Sequence, residues 1–198
     1  MNTALVVIDV QNDFCSSGAL AVADADAVIP VVNHLIASFE RVFFTQDWHP
    51  RGHVSFASSH EGRHPFERLE LAYGEQLLWP DHCIENTPGA AFRAGLNVPE
   101  APVVVRKGTR SDKDSYSAFF ENDGLTPVGL DSLLRQASVS EIVLAGLATD
   151  FCVFTTALDA RRLGYEVTVV ESGCRGINTE GSLDRAWAQM TQAGVRRA

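Results

Sequence analysis

The 198-residue chain carries only four cysteines, Cys15, Cys83, Cys152 and Cys174, with no close pair and no C-x-x-C spacing. That scarcity argues against a disulfide framework and suits a reducing cytoplasm, the expected location. Basic residues are also in short supply: 16 Lys and Arg stand against 25 Asp and Glu, giving a formal charge of -9 and a pI near 5.0. A protein that displaces counterions from a phosphate backbone needs a basic face, so nucleic acid is not an expected partner. Long apolar runs are missing too. The first, Ala4 to Ile8, is interrupted by Asp9, has no basic flank, and is far shorter than a signal-peptide core or a membrane span, so no membrane partner is expected.

What remains is ordinary globular composition, 45% hydrophobic and 21% charged, long enough to bury one substantial core. With no internal repeat or low-complexity linker, residues 1–198 are expected to form a single domain. Short runs rich in Val, Ile, Leu and Phe, at Ala4 to Val10, Arg41 to Trp48, Pro102 to Lys107, Glu141 to Ala148 and Glu166 to Glu171, read as strands buried on both faces. Val28, Val31, Val32, Leu35, Ile36 and Phe39 form one apolar helical stripe, and further helices are expected at Leu130 to Ala137, Asp150 to Leu163 and Leu183 to Ala193. This alternation predicts a doubly wound α/β fold, a mostly parallel sheet with helices on both faces and right-handed crossovers. Residues 49–99 break the rhythm. They are rich in His, Pro, Gly and aromatics, and a loop of that length usually serves a site.

In an open parallel sheet the binding crevice lies beyond the carboxyl ends of the strands. Here those ends are polar: the first strand ends at Asp9, the second at Asp47, the third at Lys107, and the fourth runs into Thr149, Asp150 and Cys152. A capping Asp, a snorkelling Lys or a small buried Cys is each unremarkable alone. Together at one rim they suggest a nucleophile with partners. Cys152 is expected in the first turn of its helix, with Thr149 or Asp150 as the N-cap, so that the helix dipole and free amides favour a thiolate and can hold an oxyanion. Asp9 can take the thiol proton, and Lys107 can stabilise the charge shared between sulfur and carboxylate.

A second cluster gathers Asp47, His49, His53 and His82. Asp47 and His49, two apart, face one side of an extended chain, and either His53 or His82 can complete a set of two imidazoles and one carboxylate that leaves positions open for water or substrate. Such a set accepts one divalent ion, zinc, iron or manganese. His34, His60 and His64 read as surface residues. Phe14, Trp79 and Tyr116 lie beside these segments and could clamp a flat substrate.

With these residues in view, the chain resembles the isochorismatase-like cysteine hydrolases over nearly its whole length. The resemblance is carried by LVVIDVQNDFC from Leu5, TQDWHPRGHVSF from Thr45, WPDHC from Trp79, VRKGTRSDKDSYSAFF from Val105 and GLATDFC from Gly146. It implies a triad of Asp9, Lys107 and Cys152 and a divalent metal on Asp47, His49 and His82, with His53 as an additional candidate ligand. It also implies a cis peptide between Leu147 and Ala148, whose amide joins that of Cys152 in an oxyanion hole. Phe14, Trp79 and Tyr116 would enclose a pyridine ring. Within the family, a nucleophilic cysteine together with the metal set implies the members that hydrolyse nicotinamide to nicotinate and ammonia in NAD salvage, through a cysteine thioester. The alternatives are a related cysteine hydrolase of another small amide or ureido compound, and a non-catalytic metal-binding protein of the same fold. A homo-oligomer is left open. Two features depart from the family pattern: a long, variable loop from His53 to Trp79, and a GVRRA terminus that stops before a full last strand.

Overall fold

A computed structural model describes residues 2–198. Six strands, β1 (Thr3–Ile8), β2 (Val42–Asp47), β5 (Val103–Lys107), β6 (Glu141–Leu147), β7 (Glu166–Arg175) and β8 (Arg196–Arg197), form one parallel sheet in the order β5-β2-β1-β6-β7-β8. The chain therefore winds outward from β1 through β2 to β5, then restarts at β6 on the other side of β1. The switch point lies between β1 and β6, where a doubly wound sheet opens its ligand crevice.

Alternation along each strand divides the core. Ala4, Val6 and Ile8 of β1 face Leu130 and Leu134 of α2 (Leu130–Gln136), Ala157 and Ala160 of α3 (Phe154–Arg162) and Met190 of α4 (Ser182–Gln192). Leu5 and Val7 face the opposite way, toward Val28 and Val32 of α1 (Val28–Ser38) and toward Phe14, Trp79 and Cys83. Both faces of β1 are thus apolar, which is why its sequence reads as an unbroken hydrophobic run.

Two expectations differ from the structure. β7 continues to Arg175, past Glu171. The stretch 49–99 contains an antiparallel hairpin, β3 (Arg68–Leu71) and β4 (Gly74–Leu77), closed by Ala72 and Tyr73. Its residues include no β-branched side chain, so propensity gave no signal. The terminal GVRRA contributes only a two-residue edge strand, β8, pairing with Thr168 and Val169, short of a full last strand as expected.

Candidate active site

Main-chain geometry at the switch point sets the site. Ile8 of β1 is paired with Gly146 of β6, and a Cβ built at Gly146 would lie 2.0 Å from the Ile8 carbonyl oxygen, so only glycine permits this approach. Just beyond, Asp9 adopts φ 46°, a left-handed conformation that turns the chain out of the sheet. Its backbone N–H donates to Thr45 Oγ1 at 3.1 Å, and the Thr45 hydroxyl donates back to Asp9 Oδ1. Across the crevice, the Leu147–Ala148 peptide is cis, as the resemblance implies, and leads into Cys152.

Lys107, 1% exposed, is the hub. Its Nζ lies 2.8 Å from Asp9 Oδ2, donates to Asp47 Oδ1, to Ser115 O at 3.1 Å and to Cys152 Sγ at 3.2 Å. Asp9 and Asp47 are buried as well, so one cation faces two carboxylates away from water. The consequences divide unevenly. Burial works against Lys107's charge, yet Asp47, Asp9 and Cys152 outweigh it and hold the ammonium well above its ordinary range. Burial also opposes ionisation of Asp47, but Lys107 and the imidazoles of His49 and His82 hold its carboxyl well below its usual range. Asp9 goes the other way: burial raises it, Lys107 offsets only part, and the Asp47 charge adds to the rise. Among the described residues, Asp9 Oδ2 is one of two buried side-chain oxygens without an aligned hydrogen-bond donor. Its contact with Lys107 is electrostatic, and it has room for a proton.

Cys152 corrects the expectation of a resting thiolate. Burial raises the thiol well above its ordinary value, Lys107 opposes this, and Asp9 and Asp47 reinforce it. The helix start also differs. Residues Thr149–Val153 form a single wide π-turn before α3, flanked by Ala148 with no side-chain cap. Thr149 and Asp150 are therefore not the N-cap. Asp150 instead accepts from Ile177 N at 2.9 Å, Asn178 N at 2.8 Å and the Ser182 hydroxyl, tying the turn that bears Cys152 to the start of α4 and the segment before it.

The second cluster sits next to the first because Asp47 has two oxygens. Oδ1 meets Lys107, while Oδ2 faces His49 Nε2 at 3.7 Å and His82 Nε2 at 3.8 Å, too far for hydrogen bonds. Each imidazole's Nδ1 meets a backbone carbonyl, Gly108 O at 3.0 Å for His49 and Pro80 O at 2.8 Å for His82. That bond makes Nδ1 the protonated nitrogen and directs the Nε2 lone pair at the shared gap, the arrangement in which backbone carbonyls orient metal-binding histidines. The three ligand atoms lie within 4.8 Å of one another. Burial opposes a charge on His49, yet Asp47 still raises its pKa, which marks the gap as a place of negative potential. The donor set and field fit a divalent cation. The supports are built in: Gln11 brackets Asp47 by donating to its carbonyl at 2.8 Å and accepting from its N–H at 2.9 Å, and Asp13 accepts from Cys83 N at 2.7 Å, beside His82. Gly108 has φ +62°, and a Cβ there would sit 2.3 Å from the His49 ring.

His53 lies beside His49, with ring centroids 4.3 Å apart, but is grouped with His49 and Asp114 and not with Asp47 and His82. Both its nitrogens are engaged, Nδ1 with Ser55 Oγ at 2.7 Å and Nε2 with Lys113 O at 2.9 Å. Burial and the neighbouring His49 push its pKa down to about 4.

One cavity of about 320 Å³ joins both clusters, lined by Asp47, His49, His82, Ala148 and Cys152 together with Phe14, Trp79 and Tyr116. All three expected aromatics are therefore at the pocket. Four further lining residues were not anticipated: Leu20, Asp114, Phe151 and Ile177. Phe151 packs its edge against Trp79 at 4.8 Å and Tyr116 at 5.6 Å. Its place one residue before Cys152 was the available signal; Leu20 and Ile177 lie outside every site motif and gave none.

Comparison with known proteins identifies the family and the fold. The family model described as the isochorismatase domain matches residues 3–197. The chain is similar to a nicotinamidase of Acinetobacter baylyi, with 45% identity over 196 residues that cover 99% of this chain and 92% of that protein. Among solved structures it is similar to a nicotinamidase/pyrazinamidase of Acinetobacter baumannii, at TM-score 0.97 and 52% identity, covering 99% of this chain and 95% of that one. It is also similar to a pyrazinamidase of Pyrococcus horikoshii in complex with zinc, at TM-score 0.82 and 34% identity, covering 100% and 99% of the two chains.

Proposed function

The chain belongs to the isochorismatase family, and we propose that it is a cysteine amidohydrolase converting nicotinamide to nicotinate and ammonia in NAD salvage. The observation that carries this reading is a buried Cys152 at the wall of an aromatic-lined pocket, with Lys107 in contact with its sulfur and with Asp9. Residues 1–198 act as one domain, with the 49–99 insertion supplying the far wall. The free, buried cysteines suit a cytoplasmic setting.

In the proposed reaction, Asp9 takes the Cys152 proton as sulfur bonds to the amide carbon. Its raised pKa suits it to accept a proton and later return it. Lys107 stays cationic and offsets the charge that moves between sulfur and carboxylate. The carbonyl oxygen becomes an oxyanion held by the N–H groups of Ala148 and Cys152, a type of stabilisation worth about 3–4 kcal/mol per donor. The C–N bond then breaks as Asp9 returns the proton to the departing ammonia. Water attacks the thioester, giving a proton to Asp9; the C–S bond breaks, the thiol is reprotonated, and nicotinate leaves. Phe14, Trp79 and Tyr116 hold the ring. Asp47, His49 and His82 would hold a divalent ion, zinc on the analogy of the Pyrococcus horikoshii protein, and that ion would supply a fixed positive anchor orienting the substrate.

The test is ammonia release from nicotinamide, measured beside metal analysis of the same preparation. Turnover with about one metal equivalent is expected. Negligible turnover by metal-replete protein, with ammonia released from a ureido or carbamoyl compound instead, overturns the substrate assignment.

A further inference from the structure

Gln76 lies on β4, in the hairpin that no part of the proposed reaction uses, yet its side chain is 1% exposed and fully hydrogen-bonded. The amide nitrogen donates toward Leu77 O at 2.7 Å, Asp114 Oδ2 at 2.9 Å and Tyr116 OH at 3.0 Å. The amide oxygen accepts from Tyr73 OH at 3.1 Å and Asn122 Nδ2 at 3.2 Å. Asn122 in turn accepts from Tyr116 N at 3.0 Å. The Tyr116 hydroxyl also accepts from Trp79 Nε1 at 3.0 Å, so its oxygen is pinned from two sides, and neither ring can swing without losing a bond. Three of these residues, Trp79, Asp114 and Tyr116, line the pocket.

A two-stranded hairpin is marginal by itself. Its other β3 and β4 side chains are exposed or half-buried apart from Leu77, so Gln76 is the inward polar tie. An apolar side chain could fill the same space, but it could not span Asp114, Tyr116 and Asn122 at once, which only a group with donors and acceptors on one plane can do.

We propose that Gln76 is a positioning residue: it sets the tilt of the Tyr116–Trp79 wall and the direction of the Asp114 carboxylate, and thereby the fit of the substrate ring. This rests on the functional reading above. The residue touches neither Cys152, Asp9 nor Lys107, so its influence falls on binding and not on bond making.

The test is Gln76→Met, which keeps length and volume and removes every hydrogen bond. Steady-state ammonia release is expected to show KM for nicotinamide raised about tenfold with kcat within about twofold. Nicotinate binding, followed by quenching of tryptophan fluorescence, should weaken by a similar factor. Tyr73→Phe removes a single bond to the same amide and should raise KM about twofold with the fold intact. An unchanged KM in folded Gln76→Met overturns the inference, as does a loss confined to kcat. Should Gln76→Met fail to fold, an unchanged KM in Tyr73→Phe overturns it and a raised KM supports it. An active wild type with unaltered variants sinks this inference alone, whereas a wild type that leaves nicotinamide intact sinks the functional reading and this inference with it.

Discussion

At the amino ends of β6, β7 and β8, Glu141, Glu166 and Arg196 pair with one another and with Arg161, and their side chains are 38%, 56% and 53% exposed. At the carboxyl ends of β1, β2 and β5, Asp9, Asp47 and Lys107 form a similar set of charges with side chains at 0%, 6% and 0%. One sheet therefore carries ion pairs at both ends, in water at one and out of water at the other. The exposed pairs gain little, because solvent screens them and their long side chains lose freedom. The buried set forfeits hydration and in return acquires shifted proton affinities. Chemistry collects where the protein has spent stability, not where it has gained it.

The sharpest contrast comes from Cys152→Ala at the buried end. Ammonia release should fall by at least about 10⁴-fold while the melting temperature barely moves, since one small core side chain replaces another. Residual activity within tenfold of wild type removes sulfur from the reaction. Next, Lys107→Met leaves two carboxylates facing each other out of water and should cost about 3–5 kcal/mol in urea unfolding. A cost under about 1 kcal/mol means that water reaches the set, and the two ends are alike after all. Gly108→Ala forces a left-handed side chain against His49 and should cost about 1–2 kcal/mol in the same assay. Bound metal should fall well below one equivalent in that variant, and full metal retention would show that His49 is not a ligand.

The smallest effect belongs to the exposed end. A hydrogen bond from Arg161, and then its charge, hold the Glu166 carboxyl below its ordinary range. A lowered folded-state value means that this pair's contribution is complete above about pH 4.3 and is lost as pH falls below it. Glu166→Gln should therefore shift the urea midpoint slightly at pH 7, with the difference shrinking toward pH 3. A difference that grows on acidification reverses the sign of the argument.

The buried end was the more legible in sequence. Its strands are apolar runs closed by a charge, and a charge at such a place is conspicuous: Asp9, Asp47 and Lys107 all announce themselves. The proton state of Cys152 was not legible, because a helix dipole can be read from one segment, whereas burial between two carboxylates needs three distant strands to be assembled first. Gln76 was hidden for a related reason: its partners at positions 73, 114, 116 and 122 converge only in space. The hairpin that bears it has weak strand formers and is held by those side-chain bonds, and the alternation of Arg68, Leu69, Glu70 and Leu71 is too short to stand out as a strand. The π-turn before α3 leaves no mark in residue type.

The hydrogen atom that serves as the side chain of Gly146 has a reach beyond its own position. Where β1 and β6 touch, the separation of Asp9 from the turn bearing Cys152 is set by two peptide units in contact, with no rotamer between them. Mutational drift in either apolar layer can thus reshape helices and loops while the backbone span from Asp9 to the turn bearing Cys152 stays constant. Heating that loosens side chains should leave that span intact until the sheet itself parts.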